Sequence, residues 1–453
     1  MGTPAGARVG GSGALRGRCG AGRGRRPLVS PTEWLLATQL QAPTKLVPAD
    51  TAFVVLALVV LLPAVRSWRS PAAWRRVRLR AVVAAAAALV LLAVCWFLTH
   101  VVDLFGVALS PVTQMWVAFA GAALALAVTA IVQGGRWRRT LAIVLVPAAV
   151  LVPALGINVE FAKYPTLGTV VQSDPWPAYD PHAAPLDTMP DAGIVRTVDI
   201  PGTRSHFDAR PAVVWLPPAA LVRDPRPLPV ILAFSGQPGA PGDLFTAGRL
   251  AEPLDAYARA HDGRAPIVVS VDQLSSPGRN TMCVDSRLGN VATYVTQDVP
   301  AWITANLPAT NDRKAWGLAG FSQGATCAMQ FVTGHPDEFG AALAVSSELQ
   351  PIDQSPQHSA DQAFGGSVAR WRAAAPIAQM RANGLGGHAL WLTAGSADRE
   401  FSENARKLGA AARKAGATVS IGSAPGSGHD WNTVQWSFRQ DVGPLADALS
   451  AAG

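Results

Sequence analysis

Acidic side chains are almost missing from the first third of this chain: residues 1–159 hold 3 Asp+Glu against 16 Lys+Arg, a net charge of +13. Residues 160–453 hold 27 acidic against 22 basic groups, a net of −5. The overall +8 is therefore confined to one end, and a basic nucleic-acid-binding domain is not its source. Cysteine is scarce too, with four in 453 residues and no Cys-x-x-Cys pair, which excludes a disulfide-stapled scaffold and a zinc module. Charged residues of both signs make up only 15% of the chain, against 49% hydrophobic. That balance is too apolar for a disordered chain and too poor in charge for an ordinary soluble globule. The length allows roughly two or three domains.

The apolar excess is concentrated in four stretches: Val47–Val65, Ala81–Val102, Thr113–Val132 and Leu141–Val159. Each approaches the ~20 residues that a helix needs to cross ~30 Å of hydrocarbon. Their only ionisable side chains are Asp50 and His100, both near an end. Buried helices of a soluble domain would show a polar face, and these show none. Four transmembrane helices are therefore expected over residues 47–159. No charged residue sits mid-span to mark a transport pathway.

Arginine sets the expected orientation. The loop after the first stretch carries Arg66, Arg69, Arg75, Arg76, Arg78 and Arg80, and the loop after the third carries Arg136, Arg138 and Arg139. The loop after the second has no Lys or Arg, and the fourth is followed only by Lys163. The positive-inside rule assigns the two Arg-rich loops to the cytoplasm. The chain then reads as an integral plasma-membrane protein with an extracytoplasmic domain from about residue 160. The six arginines of the first 30 residues run against this pattern. They precede no apolar core of a signal peptide, so residues 1–46 read as a basic disordered tail.

Residues 160–192 contain six prolines and no apolar periodicity, the pattern of an extended linker. From residue 193 to 453 short β-like runs alternate with helical ones. Strands are expected at Ile194–Ile200, Ala212–Leu216, Val230–Phe234, Ile267–Val271, Ala315–Ala319, Ala341–Val345, Ala389–Thr393 and Thr418–Gly422. Helices are expected at Gly248–His261, Tyr294–Leu307, Ala325–Gly334 and Glu403–Ala415. Such alternation predicts an α/β domain with a mainly parallel central sheet and flanking helices.

Gly320-Phe321-Ser322-Gln323-Gly324 has the spacing of a nucleophile elbow, between an expected strand and an expected helix. A Ser nucleophile needs a base to take its proton and an acid to orient that base, in the chain order Ser, acid, His. His429 lies in the Gly-rich run Gly426-Ser427-Gly428-His429-Asp430-Trp431, just after the last expected strand, where the base belongs. Asp398 follows the strand ending near Ala394 and is the expected acid. Glu403, one helical turn on, is the alternative. The tetrahedral oxyanion needs N–H donors, expected from Gln323 and from Gln237 in the loop Ser235-Gly236-Gln237-Pro238-Gly239.

These motifs, G-F-S-Q-G, the post-strand G-S-A-D-R-E-F and the terminal G-H-D-W, resemble the esterase branch of the α/β-hydrolases. That branch includes feruloyl esterases, S-formylglutathione hydrolases and secreted mycolyltransferases. The resemblance covers about residues 193–450 and implies Ser322 as nucleophile, Asp398 as acid and His429 as base. Mycolyltransferases resemble the Glu403 position more closely for their acid, which leaves both acids open. The chain departs from the branch in opening its oxyanion loop with Ser-Gly rather than His-Gly, and in having Gln after the nucleophile.

Outside the membrane lie Cys283, in the loop Asn280–Asp285, and Cys327, on the expected elbow helix. An oxidising compartment permits a disulfide between them. Cys19 and Cys95 have no evident role. No metal or organic cofactor is implied. The expected partners are membrane lipids and an ester substrate from the lipid or cell envelope; no nucleic acid is expected, and the oligomeric state is left open. The leading expectation is a membrane-anchored serine esterase or acyltransferase. A serine peptidase and a non-catalytic, membrane-tethered binding module are the alternatives.

Overall fold

The computed structural model describes residues 35–62, 64–102, 109–171 and 175–452. The expected basic tail lies outside these residues as far as position 34. Its last residues, from Pro43, are helical and open the first apolar helix.

Four apolar helices come first: Pro43–Leu61, Pro71–His100, Pro111–Gln133 and Arg136–Phe161. The last three are long and apolar enough to cross a membrane. The apolar part of the first, Leu46–Leu61, is shorter. Their small residues let the backbones approach: Ala84, Ala123, Ala127, Ala130, Ala142 and Ala149 are all buried against Phe53, Val60, Leu126 and Leu145. Val, Leu and Trp side chains on the outside of the bundle are exposed. At one end of the bundle Arg138 Nη2 donates to the Leu62 carbonyl, which brings both Arg-rich loops to the same end. At the other end Thr113 Oγ1 donates to Glu160 Oε2 at 2.6 Å, and Ser110 Oγ donates to Glu160 Oε1.

The rest of the chain is built on an eight-stranded sheet. Its strands are β1 (Ile194–Val198), β2 (Ala212–Leu216), β3 (Val230–Phe234), β4 (Ile267–Val271), β7 (Trp316–Phe321), β8 (Ala341–Val345), β9 (Ala389–Gly395) and β10 (Thr418–Ala424). A two-stranded hairpin, β5 (Asp285–Ser286) and β6 (Gly289–Asn290), stands apart. The sheet order is β1-β2-β4-β3-β7-β8-β9-β10. Only the β1–β2 and β2–β4 pairs are antiparallel, and every other neighbour is parallel. Helices cover both faces, so the central strands are fully buried and read as continuous apolar runs rather than alternating ones. In β3, Val230, Leu232 and Phe234 join the core on one face, while Ile231 and Ala233 join the core on the other. This is the sheet of an α/β-hydrolase.

Residues 346–388 leave the sheet between β8 and β9 and return through helices Pro356–Ala363, Val368–Ala373 and Pro376–Asn383. The first two pack a small cluster with Met282 of the 280s loop. The Pro-rich linker differs from the extended spacer expected: its first two residues finish the helix Arg136–Phe161, Leu167–Val171 is a short helix, and from residue 175 it lies along the domain. Tyr179 N donates to Thr197 O at 2.8 Å and Leu186 N to Leu221 O at 2.8 Å. Trp176 meets Phe245 edge-on at 6.0 Å, and Tyr179 meets Trp302 at 6.3 Å. The aromatics among the prolines supply the apolar area that draws the linker down.

Candidate active site

Strand β7 ends at Phe321 and the helix Gln323–Gly334 begins two residues later, so the whole reversal falls on Ser322. Its backbone is held at φ 56° and ψ −123°, a strained conformation for a side chain with a Cβ. Neighbouring glycines permit the turn: a Cβ at Gly320 would stand 2.2 Å from Gly324 O, and one at Gly324 would stand 2.3 Å from both Phe234 O and Ser235 O. The Ser322 N–H donates to Val345 O at 2.9 Å, tying the turn to the end of β8.

The hydroxyl projects at the carboxyl edge of the sheet and meets His429, with Ser322 Oγ 2.8 Å from His429 Nε2. On the far side of the ring, His429 Nδ1 is 3.1 Å from Asp398 Oδ2. Phe401 packs on the imidazole at 4.3 Å and Phe321 at 5.1 Å, fixing its plane between aromatic walls. Asp398 also caps the following helix, its Oδ1 accepting from Phe401 N at 3.3 Å. Glu403, the alternative acid, does not join this group. It lies on the exposed face of that helix, where Arg406 at 2.7 Å and Lys407 at 3.7 Å hold its carboxyl below the usual range.

The loop carrying His429 is built by its neighbour. Buried Asp430 accepts from Ser427 Oγ at 2.7 Å, Gly428 N at 2.8 Å, Asn432 N at 2.9 Å and Thr433 N at 3.1 Å. One carboxylate thus closes the turn and caps the helix Trp431–Ala452. Asp430 stands directly before this helix, so the motif G-H-D-W carries its own capping signal.

The loop after β3 passes directly over Ser322: a Cβ built on Gly236 would meet Ser322 Cβ at 3.4 Å. Gln237 follows, its side chain tied back by Nε2 donating to Gly278 O at 2.9 Å. Among the described residues, neither the Gln237 N–H nor the Gln323 N–H has an acceptor within the chain. Cys283 and Cys327 form a disulfide with Cα atoms 5.5 Å apart, fastening the 280s loop to the elbow helix. Glu348 lies just past β8 and receives a hydrogen bond from Thr326 Oγ1 at 3.1 Å, one helical turn from Ser322. Burial lifts its carboxyl to about 8.

A family model decides the class. The Esterase family model matches residues 208–443, which is more than half of the chain. The chain belongs to the Esterase family. It is an α/β-hydrolase of the esterase branch and, with that family, a serine hydrolase. An uncharacterised protein of Corynebacterium glutamicum is 34% identical over 278 residues, 59% of this chain and 65% of that protein. The chain therefore spans a little less than two thirds of that relative. Among solved structures it is similar to an S-formylglutathione hydrolase from Agrobacterium tumefaciens (17% identity, 58% of this chain, 98% of that one, TM-score 0.49). It is also similar to a ferulic acid esterase (18%, 57% and 99%, TM-score 0.46) and to MPT51 of Mycobacterium tuberculosis (19%, 57% and 100%, TM-score 0.43).

The esterase domain meets the apolar bundle beside the site. Just past the fourth apolar helix, Lys163 Nζ lies 2.5 Å from Asp243 Oδ1 and 5.1 Å from the centre of the Trp431 ring. Asn432 Nδ2 donates to Glu160 O at 2.9 Å. Trp431 in turn packs on Phe321 at 5.1 Å. The sequence reading missed this junction, because nothing in a lone Lys after an apolar stretch names its partner.

Proposed function

We propose that the chain is a membrane-anchored, extracytoplasmic serine esterase or acyltransferase acting on lipid or cell-envelope esters. The observation that carries this reading is the continuous relay from Ser322 Oγ through His429 to Asp398, at 2.8 Å and 3.1 Å. In the proposed reaction Ser322 Oγ attacks the ester carbonyl as His429 Nε2 takes its proton. Asp398 stabilises the imidazolium at Nδ1 without itself being protonated. The N–H groups of Gln323 and Gln237 receive the oxyanion. His429 then returns the proton to the departing alcohol, leaving an acyl-enzyme on Ser322. Water attacks that acyl group in hydrolysis, or an acceptor hydroxyl does so in transfer.

In this reading residues 47–159 form a four-span module, 160–192 a linker and 193–453 the esterase domain. The two Arg-rich loops lie at one end of the bundle, as Arg138 and Leu62 indicate, and Glu160 lies at the other. That arrangement supports cytoplasmic Arg loops and an outer catalytic domain. The Lys163–Asp243 and Lys163–Trp431 contacts hold the site close to the end of the fourth helix, which favours esters presented by the bilayer or the adjoining envelope.

The test is hydrolysis of p-nitrophenyl esters and fluorophosphonate labelling of the full chain in membranes, alongside Ser322→Ala. Activity and label both lost in Ser322→Ala support the reading. A folded wild-type chain silent in both assays overturns it.

A further inference from the structure

A buried carboxamide links the two chain segments that carry the proposed oxyanion donors. Gln273 lies two residues past β4 and is 1% exposed. Its Nε2 donates to Ser235 O at 2.6 Å and to Gln323 Oε1 at 2.9 Å. Ser235 opens the loop that presents Gln237, and Gln323 carries the other N–H, so each hydrogen of one amide serves one side of the hole. Beneath it, buried Asp272 accepts from Leu274 N and Ser275 N, each at 3.0 Å, and pairs with Arg210 at 2.7 Å. The segment presenting Gln273 is thereby pinned.

The chain of contacts continues beyond Gln323. Its own Nε2 faces Asn280 Oδ1 at 3.3 Å and the disulfide sulfurs of Cys327 and Cys283 at 3.3 and 3.6 Å. Asn280 Nδ2 donates onward to Ile352 O at 2.9 Å. Ser235, Gln273, Gln323, Asn280 and both cysteines are all buried. In so dry a place each hydrogen bond is strong, and each lost partner leaves a polar atom that water cannot repair. An apolar side chain would fill the same volume, so packing alone does not account for an amide here.

We infer that Gln273 is a positioning residue for acyl transfer at Ser322, setting the spacing between the Gln237 and Gln323 backbone N–H groups by bridging Ser235 O to the Gln323 side chain. The inference rests on the proposed function, since it has meaning only if Ser322 is the nucleophile. Rotation of either peptide moves an N–H away from the developing oxyanion, where stabilisation is lost in the transition state and not in substrate binding.

The experiment uses the full chain in detergent, with p-nitrophenyl butyrate as substrate and an aryl trifluoromethyl ketone as tetrahedral mimic. Rates are normalised to the endpoint of fluorophosphonate titration. Gln273→Met keeps volume and removes both donors; Gln323→Met keeps the backbone N–H and removes the acceptor. The expected result is a fall in kcat of about ten-fold or more with KM nearly unchanged, and ketone affinity falling in proportion. Gln323→Met shows the same loss, and the double variant is no worse than either single one. The inference is overturned by Gln273→Met retaining kcat, or by a loss of kcat with ketone affinity intact. Should Gln273→Met fail to fold, Gln323→Met alone decides by the same two readouts. Ser322→Ala runs in parallel. If it hydrolyses like wild type, the functional reading itself falls; if it is inert while the Gln variants are fully active, only the positioning role falls.

Discussion

Asp398 holds His429 with one carboxylate oxygen and caps a helix with the other: Oδ2 is 3.1 Å from Nδ1, while Oδ1 accepts the Phe401 N–H at 3.3 Å. The cap fixes the carboxylate in one rotamer, so orientation of the His429 imidazole is built into a helix terminus.

Removing that charge separates the two acids the sequence left open. Asp398→Asn keeps the cap and presents the wrong group to Nδ1, so kcat is expected to fall about 10³-fold or more with the fold intact. Glu403→Gln, whose carboxylate faces Arg406 and Lys407, is expected to leave kcat within about two-fold of wild type. Steady-state ester hydrolysis by both variants checks this, and the opposite ranking would exchange the roles.

The elbow has no room for a methyl group at Gly324. Gly324→Ala drives a Cβ to within 2.3 Å of two backbone carbonyls, Phe234 O and Ser235 O, which no rotamer change can relieve. Destabilisation of about 1–3 kcal/mol or more is expected, together with loss of activity. Thermal unfolding of the variant beside wild type measures it.

Asp441 gives the stability of the esterase domain a pH slope. Among the described residues its buried Oδ2, on the C-terminal helix, has no hydrogen-bond partner, and burial raises the carboxyl to about 6. The unfolded chain releases this proton near its ordinary value of 3.8, before the folded one does. Between about pH 4 and pH 6 the native state therefore binds more protons, and stability falls as pH rises through that window. Asp441→Asn is expected to raise Tm at pH 7.5 and to change it little at pH 4. Melting curves at the two pH values decide, and an equal shift at both would contradict the assignment.

Topology is open to chemical labelling. In a Cys19→Ser, Cys95→Ser background, Ser70→Cys in the first Arg-rich loop is expected to resist a membrane-impermeant maleimide in intact cells. Lys414→Cys on the esterase domain is expected to react. The reverse pattern would invert the proposed orientation.

Much of this architecture was legible in the sequence because parallel strands buried on both faces leave long apolar runs. Val230–Phe234, Ile267–Val271 and Ala341–Val345 keep the boundaries their composition predicts. The excursion over residues 346–388 was not legible, since its helices are short and owe their formation to tertiary contacts such as Trp371 against Met282 and Phe364. Ser322, His429 and Asp398 were readable because glycine-rich loops after strands mark where side chains can project. Gln273 was not, because an amide in a loop gives no sign of partners 38 and 50 residues away. The linker misled: its prolines signalled an extended spacer, while Leu167–Val171 is helical and Trp176 and Tyr179 lay the rest against the domain.

The most direct test of the central claim is to identify, by peptide mapping, the residue that a fluorophosphonate modifies in the chain expressed in cells and recovered with the membrane fraction. The account predicts a single adduct on the peptide containing Ser322, absent from Ser322→Ala and strongly slowed in His429→Ala. Label on another serine, or labelling that persists in Ser322→Ala, would contradict it.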